Sequence, residues 1–308
     1  MNKNSKILII GYKNMIGISL IKYLKKLKYK NVFTCKYESD DLSNYVRIKD
    51  LFIEYKPEYI FLNDGKSAGI SGNQKYPASL LSSNIISSSI IIPLAYKYDV
   101  KKLIYFASSC VYPKIAPQPY KPEYILTNSL EPTNESFAVG ILSGMQLCKS
   151  YNLQYGTNFI SVIPCNHFGP YDDFRSNYSH FIPSLIKKIH HAKINKIKRV
   201  KIWGSGKQIR DYIYIQDLVK ASILVMKKNN SHSSINISHK SYTISELAII
   251  VKKIINYKGL LYFDKTKSEG MQSKVLDNTE LKKLGWKNKT NIHNAISETY
   301  LWYIKNYF

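Results

Sequence analysis

Lys6-Ile-Leu-Ile-Ile-Gly11-Tyr-Lys-Asn14-Met-Ile-Gly17 is a short apolar run that stops at a glycine and opens into helical periodicity. The run predicts a buried strand, and Ile16 to Lys28 predicts a helix with lysines on its outer face. The same alternation continues downstream. Val32 to Cys35 reads as a second strand, Val46 to Glu54 as a helix, and Tyr59 to Leu62 as a third strand. Ser82 to Tyr98 suits a long helix that Pro93 should bend. Leu103 to Ala107 is a fourth strand, Phe137 to Tyr155 a second long helix, and Phe159 to Ile163 a fifth strand. Continuous apolar strands alternating with helices imply an α/β fold, a Rossmann-like doubly wound parallel sheet.

After Pro170 the rhythm breaks into loops and short helices, then helices over Thr243 to Ile255 and near Asn291 to Asn306. This predicts a smaller mixed C-terminal domain. The expected division is residues 1–168, with about 212–240, for the Rossmann-type unit, and 169–211 with 241–308 for a substrate unit. A ligand is expected at their interface.

The chain has 308 residues, enough for a sizeable core. No apolar run is expected to span a bilayer, and the N-terminus does not read as a signal peptide. Cys35, Cys110, Cys148 and Cys165 are scattered, which argues against a zinc site or a disulfide framework and suits a reducing cytoplasm. The net charge of +24 raises nucleic acid or membrane as partners. It rests on 41 Lys against 4 Arg, and phosphate-gripping sites favour the bidentate arginine fork. A solvated basic surface is the expected reading, even over Lys187 to Lys201. His190-His191 is expected on that surface, with no metal.

The turn after the first strand is where a dinucleotide pyrophosphate would lie, on the helix N-terminus. Gly11, Asn14, Met15, Ile16 and Gly17 are the expected contacts, with Asn14 in place of a middle glycine. Asn tolerates positive φ, yet its side chain would intrude where backbone should approach phosphate. Asp41 and Leu42 are placed to meet an adenine ring, and Lys13 and Lys36 a 2′-phosphate. Asp64 would disfavour a polyanion.

Phe106-Ala-Ser108-Ser-Cys110-Val-Tyr-Pro113, Leu130-Glu-Pro-Thr-Asn-Glu135, Pro164-Cys-Asn166-His-Phe-Gly-Pro170, Asn177-Tyr-Ser-His180-Phe-Ile-Pro183, Trp203-Gly-Ser-Gly206, Arg210-Asp-Tyr-Ile-Tyr-Ile-Gln-Asp217 and Leu284-Gly-Trp286 together resemble the GDP-L-fucose synthase family. The resemblance covers essentially the whole chain. It implies an NADP(H)-using 3,5-epimerase/4-reductase of the extended short-chain dehydrogenase type, acting on a GDP-4-keto-6-deoxy-sugar. It assigns Cys110 and His180 to epimerisation and Ser108 to the C4 oxygen. It sets Asn166, Lys188, Trp203, Arg210 and Lys274 at or near the nucleotide-sugar. It also implies a dimer through the two long helices. Taken alone, Cys110 reads as a structural cysteine and His180 as a loop or cap histidine.

One segment departs from the family. Where Tyr-x-x-x-Lys is expected, the chain has Phe137 and Ile141, which carry no exchangeable proton and no charge. Loss of one general acid costs about 10²–10⁴ in rate. Three readings follow: a GDP-sugar epimerase at C3/C5 without efficient reduction; an inactive nucleotide-sugar binder or partner subunit, in a homodimer or a heterodimer with an active relative; or an NADPH-dependent epimerase/reductase with a substitute proton donor.

Overall fold

The computed structural model describes residues 1–35, 42–67, 69–175, 179–266, 271–288 and 290–308. In chain order the first half runs β1 (Lys6–Ile10), α1 (Met15–Lys26), β2 (Asn31–Thr34), α2 (Tyr45–Tyr55), β3 (Tyr59–Leu62), α3 (Gly69–Lys75), α4 (Pro77–Lys97), β4 (Lys102–Phe106), α5 (Glu135–Tyr155) and β5 (Phe159–Pro164). The second half runs β6 (Asn166–Phe168), α6 (Phe181–Ile194), β7 (Arg199–Trp203), β8 (Ile209–Tyr214), α7 (Ile215–Lys228), β9 (Ile235–Ile237), β10 (Lys240–Thr243), α8 (Ile244–Ile255), β11 (Leu260–Asp264), β12 (Ser273–Lys274), α9 (Thr279–Lys283) and α10 (Ile292–Tyr307).

Six strands form one sheet in the order β2-β1-β3-β4-β5-β9, with every neighbour parallel. Ile7 to Ile10 are wholly buried, as expected of a central strand covered on both faces. The chain moves from β1 outward to β2, then crosses to β3 on the other side of β1. That reversal opens a crevice at the carboxyl ends of β1 and β3, the usual ligand position in such sheets.

Beyond β5 the chain builds a second sheet around β8. There β6 and β12 pair parallel to β8, and β10 pairs antiparallel. Thus β6 leaves the first sheet within the stretch assigned to the Rossmann unit, and the chain returns to that sheet at β9. Register sets Asn166 opposite Tyr212 and Lys274 opposite Arg210, so β8 gathers three of the expected substrate residues. Buried Asp211 ties the layers together, accepting from Ser238 Oγ (2.5 Å), Ser241 Oγ (2.6 Å) and the Leu276 N–H (2.8 Å). Three donors to one carboxylate satisfy a group that would otherwise be costly to bury.

Three expectations need correction. The helices after Pro170 are not short: α6 and α7 each run 14 residues, because apolar side chains recur on one face of each. His190 is not on the surface. It is 7% exposed, its Nδ1 lies 2.9 Å from Tyr300 Oη, and Tyr303 and Phe308 pack edge-on around it. Burial lowers its pKa, keeping the imidazole neutral. Finally, among the described residues one helix is long and apolar enough to cross a membrane: α4, with 21 residues and a mean hydropathy of 1.5 over its most apolar window. Its serines hide this in the sequence. Asn84, Ser87, Ile91, Ile92 and Ala95 are buried within the protein, and the helix packs most extensively on α5.

Candidate active site

A cavity of about 1250 Å³ opens at the crevice between β1 and β3 and runs to β8, β12 and α10. Among the expected residues it is lined by Gly11, Asn14, Met15, Ile16, Leu42, Ser108, Cys110, Phe137, Ile141, Asn166, His180, Arg210 and Lys274. Gly17, buried on α1, is not among the lining residues. Lys188 and Trp203 are not among the lining residues: Lys188 is exposed on α6, and Trp203 is 61% exposed on β7. Lys36 and Asp41 lie outside the described residues.

The β1–α1 turn is glycine-bound for steric reasons. Gly11 sits at φ +84°, and a Cβ there would lie 1.9 Å from the Asn63 carbonyl oxygen. A Cβ on Gly17 would lie 2.2 Å from the Gly11 oxygen. Asn14 differs from expectation. Its φ is −85°, open to any residue, and its side chain turns inward. Oδ1 accepts the Gly17 N–H at 2.9 Å, capping α1, and Nδ2 donates to the Asn63 carbonyl at 2.7 Å. The side chain is therefore engaged with the protein's own backbone. Met15 and Ile16, the first helical residues, line the cavity, where their N–H groups have no partner within the helix.

At the end of β4, Ser108 caps a single 3₁₀ turn, its Oγ accepting the Cys110 N–H at 3.2 Å. The half-buried Cys110 thiol receives the Lys274 ammonium, with Nζ 3.5 Å from Sγ. Cys35, Cys148 and Cys165 are buried, and burial pushes Cys148 up to about 12. Cys110 is thus the least buried of the four cysteines, and it opens onto the cavity.

His180 is the N-cap residue of α6, with its ring facing the cavity. Desolvation lowers its pKa and the nearby Asp173 opposes that shift, although the side chain itself stays open to solvent. Its ring centroid lies 6.4 Å from that of His167. His167 Nδ1 lies 3.3 Å from the Cys165 carbonyl, and burial, with His180 beside it, lowers its pKa to about 4. A neutral His180 accepts or donates a proton near pH 7, depending on tautomer.

Arg210 does not present a free fork. Nη1 donates to the Ile209 (2.8 Å) and Gln272 (3.5 Å) carbonyls, and Nη2 to that of Met271. Asn166 Nδ2 donates to the Asp211 carbonyl at 3.1 Å. Phe137 and Ile141, one turn apart on α5, are 5% and 2% exposed and cap the cavity floor with carbon. Beside Ile141, the buried Tyr105 Oη donates to the Ile141 carbonyl at 3.3 Å, with desolvation raising its pKa.

Sequence reading missed one wall. Asp172, Asp173 and Arg175, on the loop after β6, line the cavity with Trp302, Asn306 and Tyr307 of α10. Asp172 Oδ1 accepts the Asp173 N–H at 2.9 Å, while Oδ2 is buried without a partner, and burial pushes the carboxyl up to about 7. Adjacent aspartates after a Gly-Pro were the available signal. The contribution of α10, 130 residues later, had none. Among the described residues no three His, Cys, Asp or Glu side chains group as metal ligands.

A family model described as the NAD dependent epimerase/dehydratase family matches residues 7–238. GDP-L-fucose synthase 1 of Arabidopsis thaliana is 35% identical, over 99% of this chain and 95% of that protein. The solved GDP-6-OMe-4-keto-L-xylo-heptose reductase from Campylobacter jejuni superposes with a TM-score of 0.91 at 30% identity, covering 99% of both chains. The GDP-mannoheptose C4 reductase from the same organism, with NADP bound, superposes at 0.88 and 31%, covering 99% of both.

Proposed function

The chain belongs to the NAD dependent epimerase/dehydratase family, among the relatives of GDP-L-fucose synthase, and we propose that it epimerises a GDP-linked 4-keto-sugar at C3 or C5 without efficiently reducing the ketone. The relatives named above act on GDP-sugars, and a 6-deoxyhexose and a heptose both suit the reading. One observation carries it. Cys110 and His180 open onto the same cavity, whereas Phe137 and Ile141 line it with no acid and no cation.

The chemistry needs no hydride. A C–H bond beside the C4 ketone is acidic, so one of Cys110 and His180 removes the proton and the other returns one to the opposite face. Near neutrality both side-chain types exchange protons readily. Ser108 lies one residue from the 3₁₀ turn that carries Cys110 and is placed to hydrogen-bond the ketone oxygen.

NADP(H) supplies a hydride when bound by relatives of this fold. Here the two halves of its groove differ. The Gly11–Gly17 turn, the first N–H groups of α1 and Leu42 suit a pyrophosphate and an adenine. The segment at Phe137 and Ile141 lacks the phenol and the ammonium that would grip the ribose and protonate the ketone oxygen. No reductive step is therefore assigned. In keeping with the family resemblance, α4 and α5 form the proposed dimer face, where Ile85, Ile86, Val139 and Leu153 are exposed.

The reading is tested by NMR of GDP-4-keto-6-deoxymannose with the protein in D₂O. Deuterium is expected at C3 or C5, with exchange lost in Cys110→Ser and in His180→Asn. Binding of the GDP-sugar without any exchange would leave a non-catalytic nucleotide-sugar binder instead.

A further inference from the structure

Epimerisation beside a ketone develops negative charge on the carbonyl oxygen, and that charge needs a donor. A phenol at position 137 could provide one, but Phe137 cannot. We propose that the Lys274 ammonium is this donor, a catalytic residue of the reaction proposed above, on which the inference rests.

Lys274 Nζ lies 3.5 Å from Cys110 Sγ, and both side chains line the cavity. The carbonyl oxygen of a ketone sits only about 2.4 Å from the α-carbon by ordinary bond lengths. A group in contact with the thiol that exchanges the α-proton is therefore within reach of the oxygen that becomes the oxyanion.

Lys274 is also held in place by its strand. It belongs to β12, a two-residue strand pinned to β8 with Lys274 opposite Arg210. Arg210 grips the Met271 and Gln272 carbonyls just ahead of it. The guanidinium is thereby engaged with main chain and acts as a positioning residue, leaving the lysine to face the thiol. An ammonium offers three donors and a full charge. Ser108, whose Oγ already accepts the Cys110 N–H, offers a neutral hydroxyl, the weaker partner for an anion.

The step balances without any co-reactant. The base takes the α-proton, and the C–H pair becomes a C=C bond. The carbonyl π pair moves onto oxygen, where Lys274 hydrogen-bonds it. Collapse of the enolate restores the ketone as the acid delivers a proton to the opposite face. Nothing is oxidised or reduced, and Lys274 ends as it began.

The competing role for Lys274 is a diphosphate ligand, and the test separates the two. Deuterium exchange into GDP-4-keto-6-deoxymannose at saturation is measured for wild type, Lys274→Met and Lys274→Ala, with GDP affinity by calorimetry. A donor role predicts exchange lowered about 10²–10³-fold, GDP affinity changed by less than about threefold, and partial rescue of Lys274→Ala by added ethylamine. Saturating exchange at the wild-type rate with GDP affinity strongly reduced would overturn the inference while leaving the epimerase reading intact. No exchange in the wild-type protein would remove the epimerase reading and this inference with it.

Discussion

On the proposed function, Phe137 and Ile141 are the two side chains that separate proton exchange from hydride transfer. Both are buried, so restoring polarity there has opposite consequences for activity and stability. Ile141→Lys alone buries an amine at a site 2% exposed and should lower stability by about 1–3 kcal/mol in chemical denaturation. The Phe137→Tyr/Ile141→Lys pair should gain NADPH oxidation by about 10²-fold or more, dependent on the 4-keto-sugar. No gain would mean that the groove has diverged beyond these two positions. Asp172 belongs to the same scale. Burial raises its carboxyl to about 7 in the folded chain, against about 3.9 unfolded. The folded state then holds a proton that the unfolded state has lost. Its stabilising contribution is full below about pH 4 and is lost as pH rises through about 7. The swing is at most about 4 kcal/mol. Urea midpoints from pH 5 to 8 should fall in the wild type, and that component of the fall should vanish in Asp172→Asn.

Among the elements, the β1–α1 turn separates what a glycine pattern says from what it needs. Positions 11 and 17 have no room for a Cβ, whereas position 14 has ordinary backbone and a working cap. Gly17→Ala should therefore prevent accumulation of folded protein. Asn14→Ala should cost only about 1–2 kcal/mol, through the lost cap and the lost bond to Asn63. Comparable destabilisation by both would contradict this account of the turn. The elements themselves were largely legible. Five of the six strands of the first sheet were readable as apolar runs, and α1, α8 and α10 begin at side-chain caps, Asn14, Thr243 and Asn291. The helix α4 was legible, but its membrane-like hydropathy was not, because six serines break the apolar run while Ser87 and Ser88 lie buried in the packed helix. His190 also misled, because a basic neighbourhood in sequence says nothing of the aromatic ring that α10 folds over it.

At the scale of the molecule, the cavity is assembled from segments that no local pattern connects. Cys110 follows β4, His180 precedes α6, and Lys274 arrives on a short strand paired to β8. Family resemblance named these residues, but the contact between Lys274 and Cys110, and the commitment of Arg210 to backbone carbonyls, emerge only from the pairing of β8 with β12. Equally invisible was the wall formed by Asp172 and α10, which depends on chain returning from the far end of the sequence. The charge of +24 comes from 45 Lys and Arg against 21 Asp and Glu, and it does not by itself compose a phosphate clamp: Arg210, one of two arginines lining the cavity, spends its fork on the protein's own carbonyls. The central claim is that proton exchange has been retained while hydride transfer has been lost. One tube decides it: GDP-4-keto-6-deoxymannose, NADPH and the protein in D₂O, followed by NMR and by NADPH absorbance together. The account predicts deuterium entering C3 or C5 while NADPH and the ketone persist. NADPH consumed in step with disappearance of the ketone would contradict it.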